Sequence, residues 1–221
     1  MSRSKLIKSS ISGIATVHGQ IKEKFDDIKD LYNNDIDKIN KLKDKIGLNQ
    51  IYKAGKFTTS YDLCLSATKL LIKELRFNTK EIDAVIFVTQ TPDYFLPGNS
   101  NLIHRDLDLN RDCACFDLSQ GCSGYIYGLW MAHMLIEINS AEKVLLLAGD
   151  TMSKNVNLFD TSSRPLFGDA GTATLVEKHK EIQDSFFTVN TDGSGYDSII
   201  IPAGGFRKRI NKLWFRIKIY S

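Results

Sequence analysis

Between Ala84 and Ala148 the sequence alternates short, unbroken apolar runs with helical patterns, and this alternation constrains the fold more than any other feature. Ala84-Val85-Ile86-Phe87-Val88, Cys113-Ala114-Cys115-Phe116-Asp117-Leu118 and Val144-Leu145-Leu146-Leu147-Ala148 each read as a strand covered on both faces. Ser100 to Leu107 and the long apolar stretch Ser123 to Ile138 separate them as helices. Strand, helix, strand, helix, strand predicts parallel pairing with right-handed crossovers, hence an α/β fold.

Flanking segments extend the pattern. Lys5 to Ile14 alternates loosely and reads as one first strand. From Asp26 to Ile46, Ile28, Leu31, Ile36, Ile39, Leu42 and Ile46 recur at helical steps around Asn33-Asn34, which predicts helix, break, helix. Thr58-Thr59-Ser60 offers caps for a helix that buries Leu63, Ala67, Leu70, Leu71 and Leu75 and ends by Asn78. Gly171 to Val176 and Ser198 to Ile201 read as later strands.

Composition narrows the function classes. The 221 residues are 43% hydrophobic, enough for a real core. No stretch approaches the roughly 20 apolar residues of a membrane span, and the N-terminus lacks a signal-peptide pattern, so a cytoplasmic protein is expected. The net charge of +3 rests on Phe206 to Ser221, which holds six Lys or Arg and no acid; without that segment the balance is −3. A basic excess confined to one terminal segment argues against nucleic-acid binding, which needs a basic face of the folded domain. Four cysteines, none in CxxC spacing, make neither a disulfide framework nor a zinc site, and a reducing compartment fits them. No metal and no cofactor are expected.

The chemistry concentrates in Asp117-Leu118-Ser119-Gln120-Gly121-Cys122-Ser123-Gly124-Tyr125, which joins a strand to an apolar helix. Gly121 and Gly124 allow a tight turn and close approach of a ligand, while the helix N-terminus places unpaired N–H groups and partial positive charge beside Cys122. Both effects favour a nucleophilic thiolate on an elbow, as for the serine of hydrolases. The competing reading is a buried, inert thiol, since a free cysteine is usually a small hydrophobe. Cys64, Cys113 and Cys115 read as core. Asp169 reads as a turn organiser, and Gly193-Ser194-Gly195 as a flexible turn that lacks a full dinucleotide motif. His133 lies eleven residues after Cys122, roughly 16 Å along a helix, too far to serve as its base. His104, His18 and His179 are lone histidines, whose usual role is structural.

These segments together resemble the β-ketoacyl-ACP synthase III family of the thiolase-like fold. Phe116 to Tyr125 is similar to the strand and turn that present the family's acyl-accepting cysteine, Leu145 to Asp150 to its following strand, and Leu166-Phe167-Gly168-Asp169-Ala170-Gly171-Thr172-Ala173 to its FGDGAGA stretch. Thr89 to Pro97 stands where the family has a loop that crosses its homodimer. The resemblance runs from about residue 5 to 208. It implies a thiolase-like α/β fold with a parallel or mixed sheet and helices on both faces, the N-terminal half nearly complete and the second half mostly missing. The domains implied are an N-terminal domain over 1–176, the start of a second half over 177–208, and a basic segment over 209–221.

The activity implied is acyl transfer in fatty-acid or related synthesis. Cys122 would take an acyl group as a thioester and lend its backbone N–H to the oxyanion hole; the enolate of decarboxylated malonyl-ACP would then attack. The partners implied are acyl-CoA or acyl-ACP, malonyl-ACP, the carrier protein itself and a second copy of the chain, with Lys45, Leu96 and Phe167 as substrate-binding residues. Lys41 stands where the family's acyl-CoA users carry an aromatic residue against adenine, which argues against acetyl-CoA priming and leaves room for an acyl-ACP or other thioester donor. The family's catalytic His and Asn are expected beyond Ser221. Two readings of the segment from Arg209 stay open, a truncated or frameshifted product and an ordinary basic amphipathic end. A second function reading is a non-catalytic fragment or partner subunit of a thiolase-like heterodimer, and a third is a thioesterase using the same cysteine.

Overall fold

The computed structural model describes residues 2–179, 181, 184–209 and 218–219. Most of the basic segment after Arg209 lies outside the described residues. The described chain forms two compact units, one of residues 1–18, 56–150 and 170–190, the other of 19–55, 151–169 and 191–221.

In the first unit, β1 (Ser2–Leu6) and β2 (Ser9–His18) replace the single first strand expected over Lys5 to Ile14. The cause is remote in sequence. The backbone N–H groups of Ile7 and Lys8 donate to the Glu137 carboxylate at 2.9 and 3.1 Å instead of to a strand, which lets the two pieces take different partners. The second unit begins with β3 (Ile21–Lys24), which pairs antiparallel with β4 (Gln50–Lys53); neither was foreseen. Between them run a 3₁₀ segment, Phe25–Tyr32, and α1 (Ile36–Ile46). The expected break stands at Asn33 and Asn34, both in left-handed conformation, which asparagine tolerates better than most residues. Phe25, Ile28, Tyr32 and Ile39 form this unit's own small core.

Helix α2 (Ser60–Leu75) starts at Thr59, whose capping box with Asp62 resolves the cap among the three candidates. It buries Leu63, Cys64, Ala67, Thr68 and Leu71, but Leu70 and Leu75 are about 40% exposed, against expectation, because they sit at the margin of the buried stripe. There follow β5 (Ala84–Val88), α3 (Asn99–Asp106), β6 (Ala114–Leu118), α4 (Gly124–Glu137), β7 (Lys143–Asp150), β8 (Ala170–Lys178) and β9 (Ser185–Val189). In the second unit a short β10 (Ile199–Ile200) pairs with β11 (Lys218–Ile219), at the place where Ser198 to Ile201 reads as a strand.

The main sheet has the order β2-β8-β7-β5-β6. As expected, β5, β6 and β7 are parallel; β8 and β2 add antiparallel strands, and a two-stranded β1-β9 ribbon stands apart. Helices cover both faces, and the strand period of two divides the core. Val85, Phe87, Leu145 and Leu147 pack with α2 and α3 residues on one face, while Ala84, Ile86, Val88, Val144 and Leu146 pack with Ala132 and Ile136 of α4 on the other. Strand β6 departs from expectation: it is the sheet edge, and its residues are half-buried or exposed rather than buried. No helix among the described residues is long and apolar enough to cross a membrane.

Candidate active site

The three parallel strands run out at one edge of the sheet, where they deliver Thr89 and Gln90 after β5, Ser119 to Cys122 after β6, and Asp150 at the end of β7. Ligand groups of α/β sheets collect at this carboxyl edge. The turn after β6 closes through a hydrogen bond from the Gly124 N–H to the Gly121 carbonyl at 2.7 Å. Gly124 is needed for packing: a Cβ there would lie 2.5 Å from Val88 Cγ1. One turn later, Gly128 approaches Leu146 as closely, so α4 sits tight on the sheet and its N-terminus is held where the thiol emerges. Ser123 caps α4 without a side-chain hydrogen bond, which leaves the first-turn N–H groups uncommitted to a side-chain cap beside Cys122.

Of the four cysteines only Cys122 is exposed. Burial pushes the Cys64 thiol well up, and it is fully enclosed. The neighbouring Cys115 thiol, together with burial, holds the Cys113 thiol up. Cys113 belongs to the core, whereas Cys115 is only half-buried, because its strand is the edge.

The neighbouring polar residues are scaffolding that sequence reasoning missed. The Asp117 carboxylate accepts from the N–H groups of Asn99 at 2.6 Å and Ser100 at 2.9 Å, and so caps α3, whose own N-cap Gly98 has no side chain. A Cβ on Gly98 would strike that carboxylate at 2.7 Å. Asp150 Oδ1 accepts from the Gln90 N–H at 2.7 Å and, at 3.0 Å each, from the Thr91 N–H and the Thr89 and Thr91 hydroxyls. Burial raises the Asp93 carboxyl above its usual range, against hydrogen bonds from Thr59 and Asn99 that lower it. An aspartate at the carboxyl end of an apolar strand was the one available signal for the roles of Asp117 and Asp150.

The predicted substrate-binding residues fall in both units. Leu96, in the first, is 86% exposed beside Phe95 and Tyr94, also exposed. Lys45, in the second, is exposed in the last turn of α1, where its charge complements the helix dipole. Phe167, also in the second, is half-buried and lines a recess with Lys53, Ser153, Val156, Leu158 and Arg164. Asp169 is the turn organiser expected: its buried carboxylate accepts from the N–H groups of Ala54 at 2.7 Å and Ser153 at 2.9 Å and from the Ser153 hydroxyl, while its carbonyl takes the Gly19 N–H.

Neither His104 nor His133 serves Cys122. His133 is buried against Ser9 Oγ at 2.7 Å and the Phe187 ring, and its burial holds it below the usual histidine range. His104 pairs with the Asn110 carbonyl at 2.9 Å.

The family model for 3-oxoacyl-[acyl-carrier-protein (ACP)] synthase III matches residues 116–195, which include Cys122 and its turn. A Campylobacter jejuni protein provisionally named 3-oxoacyl-[acyl-carrier-protein] synthase 3 is 37% identical over 206 residues, which are 93% of this chain and 58% of that protein. The chain belongs to the β-ketoacyl-ACP synthase III family. Among other members, one from Streptomyces coelicolor is 34% identical over 74% of this chain and 50% of its own length. The crystal structure of a 3-oxoacyl-(acyl-carrier protein) synthase from Burkholderia xenovorans superposes with a TM-score of 0.90 and 34% identity, covering 94% of this chain and 59% of the other. The chain therefore spans half to three fifths of the length of these synthases. The mixed sheet with helices on both faces is the thiolase-like architecture of that family.

Proposed function

We propose that the chain performs the acyl-accepting half of a β-ketoacyl-ACP synthase III reaction, with Cys122 as nucleophile. The observation that carries this reading is the placement of the single exposed thiol, on the carboxyl edge of the parallel strands and next to the N-terminus of α4. The Cys122 thiolate attacks the carbonyl carbon of an acyl-CoA or acyl-ACP; the tetrahedral oxyanion collapses, the carrier leaves as its thiolate, and the acyl group stays on sulfur. The Cys122 N–H is a donor to that oxyanion. In the full reaction malonyl-ACP loses CO₂, its enolate carbon attacks the thioester carbonyl, and Cys122 is released as β-ketoacyl-ACP forms.

Lys45 contributes positive charge for the carrier's phosphate, Phe167 apolar surface for substrate, and Leu96, on the loop from Thr91 to Pro97, reaches the acyl pocket of a second copy in a cytoplasmic homodimer. These 221 residues by themselves stop at acylation: the rings of His104 and His133 are engaged elsewhere and leave the enolate without a donor from them. Incubation with acetyl-CoA, longer acyl-CoA and acyl-ACP, followed by intact-protein mass measurement, tests the reading. An acyl adduct lost in Cys122→Ala is expected, with no β-ketoacyl product on addition of malonyl-ACP. Absence of an adduct with every donor favours the non-catalytic partner subunit instead.

A further inference from the structure

Cys122 lies in the turn that follows β6 and Asp150 ends β7, with β5 between those strands in the sheet. What links the two ends is the segment leaving β5. Thr89, Gln90 and Thr91 give four hydrogen bonds to one oxygen of Asp150, two from backbone N–H groups and two from hydroxyls. Thr91 N–H is shared with the Thr89 hydroxyl at 3.0 Å, so the segment is tied at every residue. Gln90, with its backbone fixed in this way, has its exposed side-chain amide beside Gly121: a Cβ on that glycine would lie 3.3 Å from Gln90 Nε2. Gly121 is the residue before Cys122, and its carbonyl closes the turn that carries the thiol.

The sheet itself does not need the clasp, because β5 and β7 already pair from Ala84 with Val144 to Val88 with Ala148. A carboxylate that gathers four donors beyond the last paired residue fixes a loop rather than a strand. Its charge strengthens each of those bonds.

Resting on the reading of Cys122 as acyl acceptor, we infer that Asp150 is a positioning residue for it: through Gln90 it holds the Gly121–Cys122 turn so that the Cys122 N–H points at the oxyanion of the tetrahedral intermediate. Asp150 does not touch the thiol and changes the geometry of acyl transfer rather than the nucleophile. A misdirected oxyanion donor approaches the cost of a lost one, 10²- to 10³-fold.

The test compares Asp150→Ala, Asp150→Asn and Gln90→Ala with the wild-type chain in two reactions of Cys122. One is acylation by an acyl thioester, resolved into a saturating rate and a half-saturating concentration; the other is alkylation by iodoacetamide, which forms no oxyanion. Asp150→Ala is expected to lower the saturating acylation rate about ten- to hundredfold, with the half-saturating concentration and the alkylation rate changed less than about threefold. Asp150→Asn keeps an acceptor oxygen and restores most of the rate. Gln90 is exposed, so Gln90→Ala leaves the fold intact and carries the test should Asp150→Ala not fold; it loses acylation selectively as well. Acylation at the wild-type rate in Gln90→Ala, or a parallel fall of acylation and alkylation in Asp150→Ala, overturns the inference. A wild-type chain that acylates while these variants behave so leaves the reading of Cys122 standing; one that never acylates refutes both.

Discussion

Replacing Gly124 by alanine probes the packing that fixes α4, and with it Cys122, on the sheet. The added methyl would lie 2.5 Å from Val88 Cγ1, whereas carbon atoms rest at about 3.5–4.0 Å, so roughly 1 Å must be opened. Val88 cannot yield cheaply. It is β-branched, 5% exposed, and sits on a strand bonded to neighbours on both sides. The helix must move instead, and overpacking of this kind costs about 1–3 kcal/mol. Alanine's better helix propensity returns up to about 1 kcal/mol, less at a first helical residue. A net loss of about 1–2 kcal/mol remains, which for a chain of this size lowers the melting temperature by about 2–8 °C. Thermal unfolding followed by far-UV circular dichroism measures it. Gly193→Ala, where a Cβ meets nothing within 4 Å, serves as the control and is expected to stay within about 0.5 kcal/mol of wild type. Val88→Ala should remove most of the penalty, so the double variant is less destabilised than the sum of the singles. An unchanged or raised melting temperature for Gly124→Ala would refute the argument.

Asp117→Ala removes the carboxylate that caps α3 through Asn99 and Ser100, and urea unfolding should show a loss of about 0.5–2 kcal/mol, recovered only in part in Asp117→Asn, which keeps one of the two acceptor oxygens. Burial raises the Glu23 carboxyl, but hydrogen bonds from Arg164 at 2.8 Å and Lys53 at 2.6 Å outweigh this and hold it below the usual glutamate range. A carboxyl lowered on folding stabilises above its unfolded pKa and loses that contribution as pH falls through its folded one, so from about pH 7 to about pH 3 wild type should lose more stability than Glu23→Gln; equal losses would show that the pair contributes nothing.

Much of the fold is legible in the sequence because strands and helices announce themselves locally. The runs at Ala84–Val88 and Val144–Ala148 are continuous because helices cover both their faces, and the alternation between them and the helices dictates parallel pairing. Asn33-Asn34 marks its break through backbone preference alone. Cys122 stands out because a thiol between glycines at a strand-to-helix turn has few structural reasons to exist. What the sequence could not yield depends on partners far along the chain. The break after Leu6 comes from Glu137, some 130 residues away. The exposure of β6 comes from its being last in the sheet, a property of strand order and not of its own residues.

The site divides the same way. By itself the sequence determined the family and the α/β class and singled out Cys122 as the candidate nucleophile, because each rests on residue types at short spacing. Only the tertiary structure decided that Asp117 caps α3 and that Asp150 holds the segment after β5 against the turn bearing Cys122. A carboxylate at a strand end can accept from any donor the fold brings within about 3 Å. Which donors arrive is fixed by the order and register of strands, and that information resides in long-range packing rather than in any local window of the chain.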